Sequence, residues 1–295
     1  MVRQRLIFGT LMGLAFIGLM WGDWRLDIWA AESHRPGGLL FACLVSLLVL
    51  AGSAELFRLI RAKGFKPMFW TGALSAAALA ISPFFQRWMQ STGRWPWELV
   101  DHLPVLVAAF AVMAVFAVQA AFHRTTNAIA NIAATLLGVG YLGGLGLFIV
   151  LTRMHYGTAG LLAYLLVVKF TDIGAWAAGT RFGRHKMIPW LSPGKSWEGL
   201  AGGVAAAIIV SLLFALGDWA LGCDFRMSWS AAILFGLILA PAGQCGDLAE
   251  SLLKRDGGAK DSGSTIPGFG GLLDVLDSPL GAAPVGYLLL VWLAR

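Results

Sequence analysis

Nine runs of about twenty mostly apolar residues recur along this chain, separated by polar connections. The runs cover residues 6–20, 39–57, 68–85, 103–122, 128–151, 158–179, 200–221, 230–245 and 279–293. About twenty apolar residues in helical form span the hydrocarbon core of a bilayer. The pattern therefore predicts an all-α fold, a polytopic integral membrane helical bundle of about nine transmembrane helices. Arg3 and Arg5 ahead of the first run resemble the start of a signal peptide, yet no small-residue cleavage site stands before Trp21, so the run is read as a retained span. Two parts are expected: residues 1–151, apolar helices with little visible chemistry, and residues 152–295, where polar side chains enter the pattern.

Composition supports the membrane reading. The 295 residues are 58% hydrophobic and only 13% charged, with a mean hydropathy of +0.74, outside the range of soluble domains. Thirteen Trp and 37 Gly suit interfacial aromatic belts and close helix contacts; Trp21, Trp24, Trp29, Trp95 and Trp97 read as interface anchors. Cys43, Cys223 and Cys245 are too few and too scattered for a disulfide framework or a zinc site. The net charge of +6 is spread over loops, with no basic run long enough for nucleic acid; basic loops facing an anionic leaflet account for it.

Those loops also orient the chain. With alternating spans, fourteen Lys and Arg fall on the side that holds the N-terminus and the connections beginning at Arg58, Arg124, Arg181 and Lys254; seven fall on the other, and Lys169 lies within a span. The excess predicts a cell (inner) membrane protein with its N-terminus and both large polar connections in the cytoplasm.

The polar stretch 247–277 organises the rest. It holds Asp247, Glu250, Asp256, Asp261, Asp274 and Asp277 among Lys254, Arg255 and Lys260, between two apolar runs. Charge at a helix centre in a bilayer costs about 2.5–3.5 kcal/mol per residue, so such groups tend to be functional. Asp247, Glu250, Ser251 and Lys254 share one helical face by their spacing, as the end of a surface amphipathic helix also would. Residues 256–271 contain six glycines and one proline, a loop able to bring backbone N–H groups to a phosphate. Asp274 and Asp277 recur three residues apart; one could be a helix cap, but together with Asp247 they form a carboxylate set that Mg²⁺ accepts alongside phosphate oxygens. Upstream, Lys169 and Asp172 lie on one face, either as an ion pair between helices or as a polar lining. Ser192-Pro193-Gly194-Lys195 reads as a turn, with a helix starting at Ser196 or Trp197 and Glu198 in its first turn, where the helix dipole favours an acid.

At these residues the chain resembles the phosphatidate cytidylyltransferases (CDP-diacylglycerol synthases). Ser251-Leu-Leu-Lys254-Arg255, Lys260-Asp261, Pro267, Gly270-Gly271, Asp274 and Asp277 are similar to that family's long S-x-x-K-R, K-D, H-G-G, D-R-x-D signature. Residues 192–199 are similar to its S-P-x-K-[ST]-x-E-G segment, and Asp172 to an acid of the preceding helix. Two positions depart: Phe269 stands where the family has His, and Val275 where it has Arg, so the phosphate contacts of those positions are not carried over. The resemblance implies synthesis of CDP-diacylglycerol and pyrophosphate from CTP and phosphatidate, with Mg²⁺ and room for a second cation. It implies Asp247, Asp274 and Asp277 as metal ligands, with Lys254 beside them as catalytic. Arg255 and Lys260 would bind phosphate, and Lys195, Ser196, Glu198, Ser251 and Asp261 would line the substrate pocket. The partners expected are the two substrates and membrane lipids; a homodimer is compatible with the sequence, which sets no oligomeric state. A related CTP-using enzyme, a polyprenol-type kinase or an archaeol-type cytidylyltransferase, would keep the same metal logic. An ion-coupled transporter would explain Lys169 and Asp172 but leaves the glycine-rich loop unexplained.

Overall fold

Backbone N–H and C=O groups have no water to bond inside hydrocarbon, so a spanning segment satisfies itself as a helix. The computed structural model, which describes residues 2–32, 36–221, 227–266, 268 and 270–293, is helical almost throughout. Its elements are α1 (Val2–Glu32), α2 (Leu39–Ala62), α3 (Phe69–Thr92), the short α4 (Trp97–Asp101), α5 (Leu103–Val118), α6 (Ala128–Gly138), α7 (Leu145–Phe182), β1 (Lys186–Ile188), β2 (Ser192–Ser196), α8 (Trp197–Leu221), α9 (Trp229–Asp256) and α10 (Leu273–Leu293). Wider π-type turns at Gln119–His123 and Val139–Gly144 extend α5 and join α6 to α7. Among the described residues six helical stretches are long and apolar enough to cross a membrane. The longest, Ala128–Phe182, breaks at Gly157, where φ is 63° and ψ −164°; only glycine adopts such a backbone without strain, so this stretch is two spans. The remaining expected spans lie on α1 and α3. The protein is a multi-pass, all-α membrane bundle.

Two compact units are distinguishable: residues 1–154 with 256–275, and residues 155–255 with 276–295. In the first, α3 packs against α2, α5 and the π-type turn at Val139–Gly144. Small residues set the approach, as expected where lipid removes the hydrophobic drive between helices. Phe57 is fully buried, and a Cβ added at either Gly72 or Gly138 would lie 2.5–2.6 Å from its ring. The N-terminus of α2 is held by α1: Asp27 Oδ1 accepts from Gly38 N at 2.8 Å and Asp23 Oδ1 from Phe41 N at 3.2 Å, supplying acceptors for N–H groups that the first turn of a helix cannot pair internally. Both carboxylates also bind Arg153, with Asp23 Oδ2 2.7 Å from its guanidinium.

In the second unit α7, α8, α9 and α10 cross on glycines. A Cβ at Gly174 would lie 2.6 Å from Ala206 and 2.7 Å from the Gly202 carbonyl, and one at Gly236 would meet the α8 backbone at Ile208 at 2.7 Å. Between α7 and α8 lies an antiparallel hairpin, β1 paired with β2. The expected turn at residues 192–195 is instead strand β2; the chain reverses at residues 189–191, where Leu191 N bonds Ile188 O at 3.1 Å. A two-stranded ribbon has only edges, so Pro193 is tolerated within it. α9 runs on through Pro241.

Asp23 is fully buried and Arg153 almost so. Removing one partner of such a pair strands a charge, at a cost of about 3–5 kcal/mol. Arg153→Met is expected to lower the unfolding midpoint in detergent sharply, and Arg153→Met combined with Asp23→Asn to recover part of it; thermal unfolding of the purified variants measures both.

Candidate active site

The closest crossing in the second unit sets up its chemistry. A Cβ at Gly246 of α9 would lie 2.6 Å from the Asp277 carbonyl and 2.8 Å from Gly281 Cα of α10, so two bare backbones touch. Asp247 and Glu250 follow Gly246 by one and four residues, and Asp277 precedes Gly281 by four. The contact brings Asp247, Glu250 and Asp277 together, with one carboxylate oxygen from each lying within 4.8 Å of the others. Around a single Mg²⁺ at 2.0–2.1 Å neighbouring ligand oxygens are about 2.9 Å apart and opposite ones about 4.2 Å, so these hard donors are of the kind a divalent cation takes and would draw inward around it.

Lysines surround the carboxylates. Lys195, on the hairpin, reaches Asp247 Oδ2 at 2.8 Å and donates to Gln244 O at 3.1 Å. Lys254 Nζ, one turn beyond Glu250 and buried with it, lies 2.7 Å from Glu250 Oε2. Ser251 Oγ is 3.4 Å from Asp247 Oδ1. Arg255 holds the hairpin, its Nε donating to Leu191 O at 3.3 Å. Asp172 pairs with Lys169 at 3.9 Å and accepts from Ser278 Oγ at 3.3 Å, next to Asp277 on α10. Ser196 and Glu198 act on the hairpin rather than on the carboxylates. Ser196 Oγ accepts from Gly199 N at 3.1 Å and so caps α8, which begins at Trp197. Glu198 accepts from the Arg184 and His185 amides at 3.2 Å and lies 2.5 Å from His185 Nδ1, tying the hairpin entrance to α8.

The glycine-rich loop belongs to the first unit and is organised by a residue that the sequence reading passed over. Glu55, buried on α2, accepts four hydrogen bonds: from Leu272 N at 2.9 Å, Leu273 N at 3.0 Å, Ser262 Oγ at 2.8 Å and Thr265 Oγ1 at 2.6 Å. Asp274 accepts from Ser262 N at 3.0 Å and Gly271 N at 2.6 Å, so its carboxylate closes the loop; the cluster around Asp247 is completed by Glu250. Ile266 and Gly270 exchange backbone hydrogen bonds at 2.9 and 3.1 Å, and Gly270 has φ of +102° with no room for a Cβ against Asp274. The amides of residues 262 and 271–273 thus point at side-chain carboxylates, not outward as a phosphate cradle. Lys260 and Asp261 lie exposed on this loop. Phe269 and Pro267 fall outside the described residues. A lone acid inside the apolar run 39–57 was the available signal for Glu55, by the same cost argument that was applied to the stretch 247–277.

The profile of a cytidylyltransferase family matches residues 3–293, nearly the whole chain. The chain belongs to the cytidylyltransferase family. It is therefore an enzyme of the nucleotidyltransferase class. Among its relatives is the phosphatidate cytidylyltransferase of Staphylococcus epidermidis, 32% identical over 255 residues that cover 86% of this chain and 91% of the relative. That of Staphylococcus aureus is 33% identical over 258 residues, with the same coverage, and that of Staphylococcus haemolyticus 32% over 256 residues, covering 86% and 89%.

Two variants test the geometry. Gly281→Val is expected to force α9 and α10 apart and reduce nucleotidyl transfer at least ~100-fold while leaving helix content by circular dichroism unchanged. Glu55→Gln replaces an acceptor of four donors by a group that is itself part donor, and each hydrogen bond to a charged group contributes about 1.5–3 kcal/mol. Faster tryptic cleavage at Lys260 than in the wild type is the expected result.

Proposed function

We propose that this enzyme is a CTP:phosphatidate cytidylyltransferase, forming CDP-diacylglycerol and pyrophosphate. The carrying observation is the meeting of Asp247, Glu250 and Asp277 from two helices with Lys195 and Lys254 against them. The names of the relatives support the choice of lipid. In the reaction a phosphate oxygen of phosphatidate bonds to the α-phosphorus of CTP, and the bond from that phosphorus to the bridging oxygen of the β-phosphate breaks. Pyrophosphate leaves with the electron pair. The attacking monoester is already anionic at neutral pH, so the site needs charge neutralisation and in-line positioning more than a strong base.

Asp247, Glu250 and Asp277 would hold Mg²⁺, with or without a second cation, which when bound neutralises phosphate charge and steadies the leaving group. Lys195 and Lys254 present ammonium groups next to these carboxylates, where they attract the triphosphate. Arg255 and Lys260 add positive charge for phosphate, Ser251 offers a hydroxyl, and Asp261 neighbours Lys260 on the loop. Ser196 and Glu198 fix the hairpin that carries Lys195. Asp274 serves by closing the loop that Glu55 anchors. Access to CTP follows if the N-terminus, the hairpin and this loop face the cytoplasm of a cell whose inner membrane holds the chain.

Purified protein supplied with CTP, phosphatidate and Mg²⁺ is expected to release pyrophosphate and CDP-lipid. Release of a nucleoside diphosphate with phosphorylated lipid would instead assign a kinase. Asp247→Asn and Asp277→Asn should each lower turnover at least ~100-fold and raise the Mg²⁺ concentration needed for half-maximal rate. Asp274→Asn should lower turnover without that shift, in the manner of Glu55→Gln. For orientation, a cysteine at Gly194, exposed with open space around it, in a chain whose three native cysteines are serine, should react with an impermeant maleimide only in inverted vesicles.

A further inference from the structure

A second polar feature shares no residue with the carboxylate cluster. A cavity of about 710 Å³ opens where α2 ends, α3 begins and α5 ends, lined by Arg58 and Arg61, by Phe69 and Trp70, and by Phe122 and His123. Each of those residues lies at a terminus of its helix, so the cavity sits at the level where a spanning helix leaves hydrocarbon for headgroups. Arg58 and Arg61 are three residues apart on α2 and both exposed, one helical face presenting two guanidinium groups. The Arg61 guanidinium is 5.8 Å from the centroid of the Phe69 ring, a cation–π contact that orients it. Beside it, Trp70 and Phe122 expose 72% and 78% of their surface. A pair of arginines above exposed aromatic walls matches an amphiphile with an acidic phosphate and acyl chains, and the bilayer supplies such molecules at this depth. Basic pockets between helix ends bind acidic headgroups in this way.

We propose that this cavity is a binding site for an anionic glycerophospholipid, its phosphate between Arg58 and Arg61 and its chains against Trp70 and Phe122. The site is linked to the glycine-rich loop, because Arg58 Nη2 donates to Ser262 O at 2.5 Å while Ser262 is the residue that Glu55 and Asp274 both hold. A guanidinium has five N–H donors, so Arg58 can keep Ser262 and still bind phosphate. A bound headgroup then braces the loop through Arg58, and the lipid around the protein influences how firmly the loop is held.

The test is binding, without nucleotide. Wild-type protein in detergent is incubated with phosphatidylglycerol or phosphatidylcholine, and retained lipid is counted by native mass spectrometry. The expected result is preferential retention of phosphatidylglycerol and a rise in unfolding temperature with that lipid alone. Arg61→Gln should reduce the preference about fivefold, the worth of one basic residue near a lipid phosphate. Arg61→Lys should restore most of it, and Arg94→Gln, away from the cavity, should leave it intact. Equal retention of the two lipids by the wild type, or an equal loss in Arg61→Gln and Arg94→Gln, would overturn the proposal. Since CTP plays no part, the outcome stands apart from that of the pyrophosphate assay.

Discussion

The contact of α9 with α10 at Gly246 and Gly281 is the constraint on which the carboxylate cluster depends. Two helices whose backbones touch bring side chains one turn away within bonding range of a common ion. Any Cβ at either position would separate the backbones. In hydrocarbon, three carboxylates held this close would repel one another strongly; Lys195 and Lys254 compensate two of them directly. The arrangement therefore stores charge that a divalent cation and a polyphosphate can engage, while its ammonium groups remain on hand for phosphate oxygens. Buried ion pairs contribute little net stability compared with apolar packing, which argues that they are kept here for the reaction.

A different economy governs the loop that joins α9 to α10. Its six glycines give it freedom that must be removed before it can hold one shape, and fixing a backbone residue costs about 1–2 kcal/mol. Glu55 and Asp274 supply the restraint through hydrogen bonds to amides and hydroxyls. Leu273 is buried beside them, in contact with the space left by Gly52 on α2. The apolar first part of the chain is thus more than a membrane anchor: α2 carries the carboxylate that shapes the loop, and the two arginines above it.

Val275, which stands where the resembling family has arginine, lies between the loop-closing Asp274 and the cluster residue Asp277 on consecutive turns of α10. Asp274 and Asp277 share a helical face by spacing, yet Asp274 accepts from the amides of Ser262 and Gly271 while Asp277 meets Asp247 and Glu250. Spacing along a helix determines which side chains point the same way, but the partners are set by whatever packs opposite each of them.

The all-α membrane architecture, the span positions and the face joining Asp247, Glu250, Ser251 and Lys254 were determined by sequence alone, because hydropathy and helical periodicity are local properties. So was the start of α8, which a serine caps and an acid follows. Tertiary structure decided what depends on partners distant in sequence. Residues 192–195 became a strand because residues 186–188 pair with them. Glu55 gained its role from amides more than two hundred residues away. Glu250, seen in the sequence only as one member of a helical face, joined Asp247 and Asp277 because two glycines thirty-five residues apart allow their helices to touch.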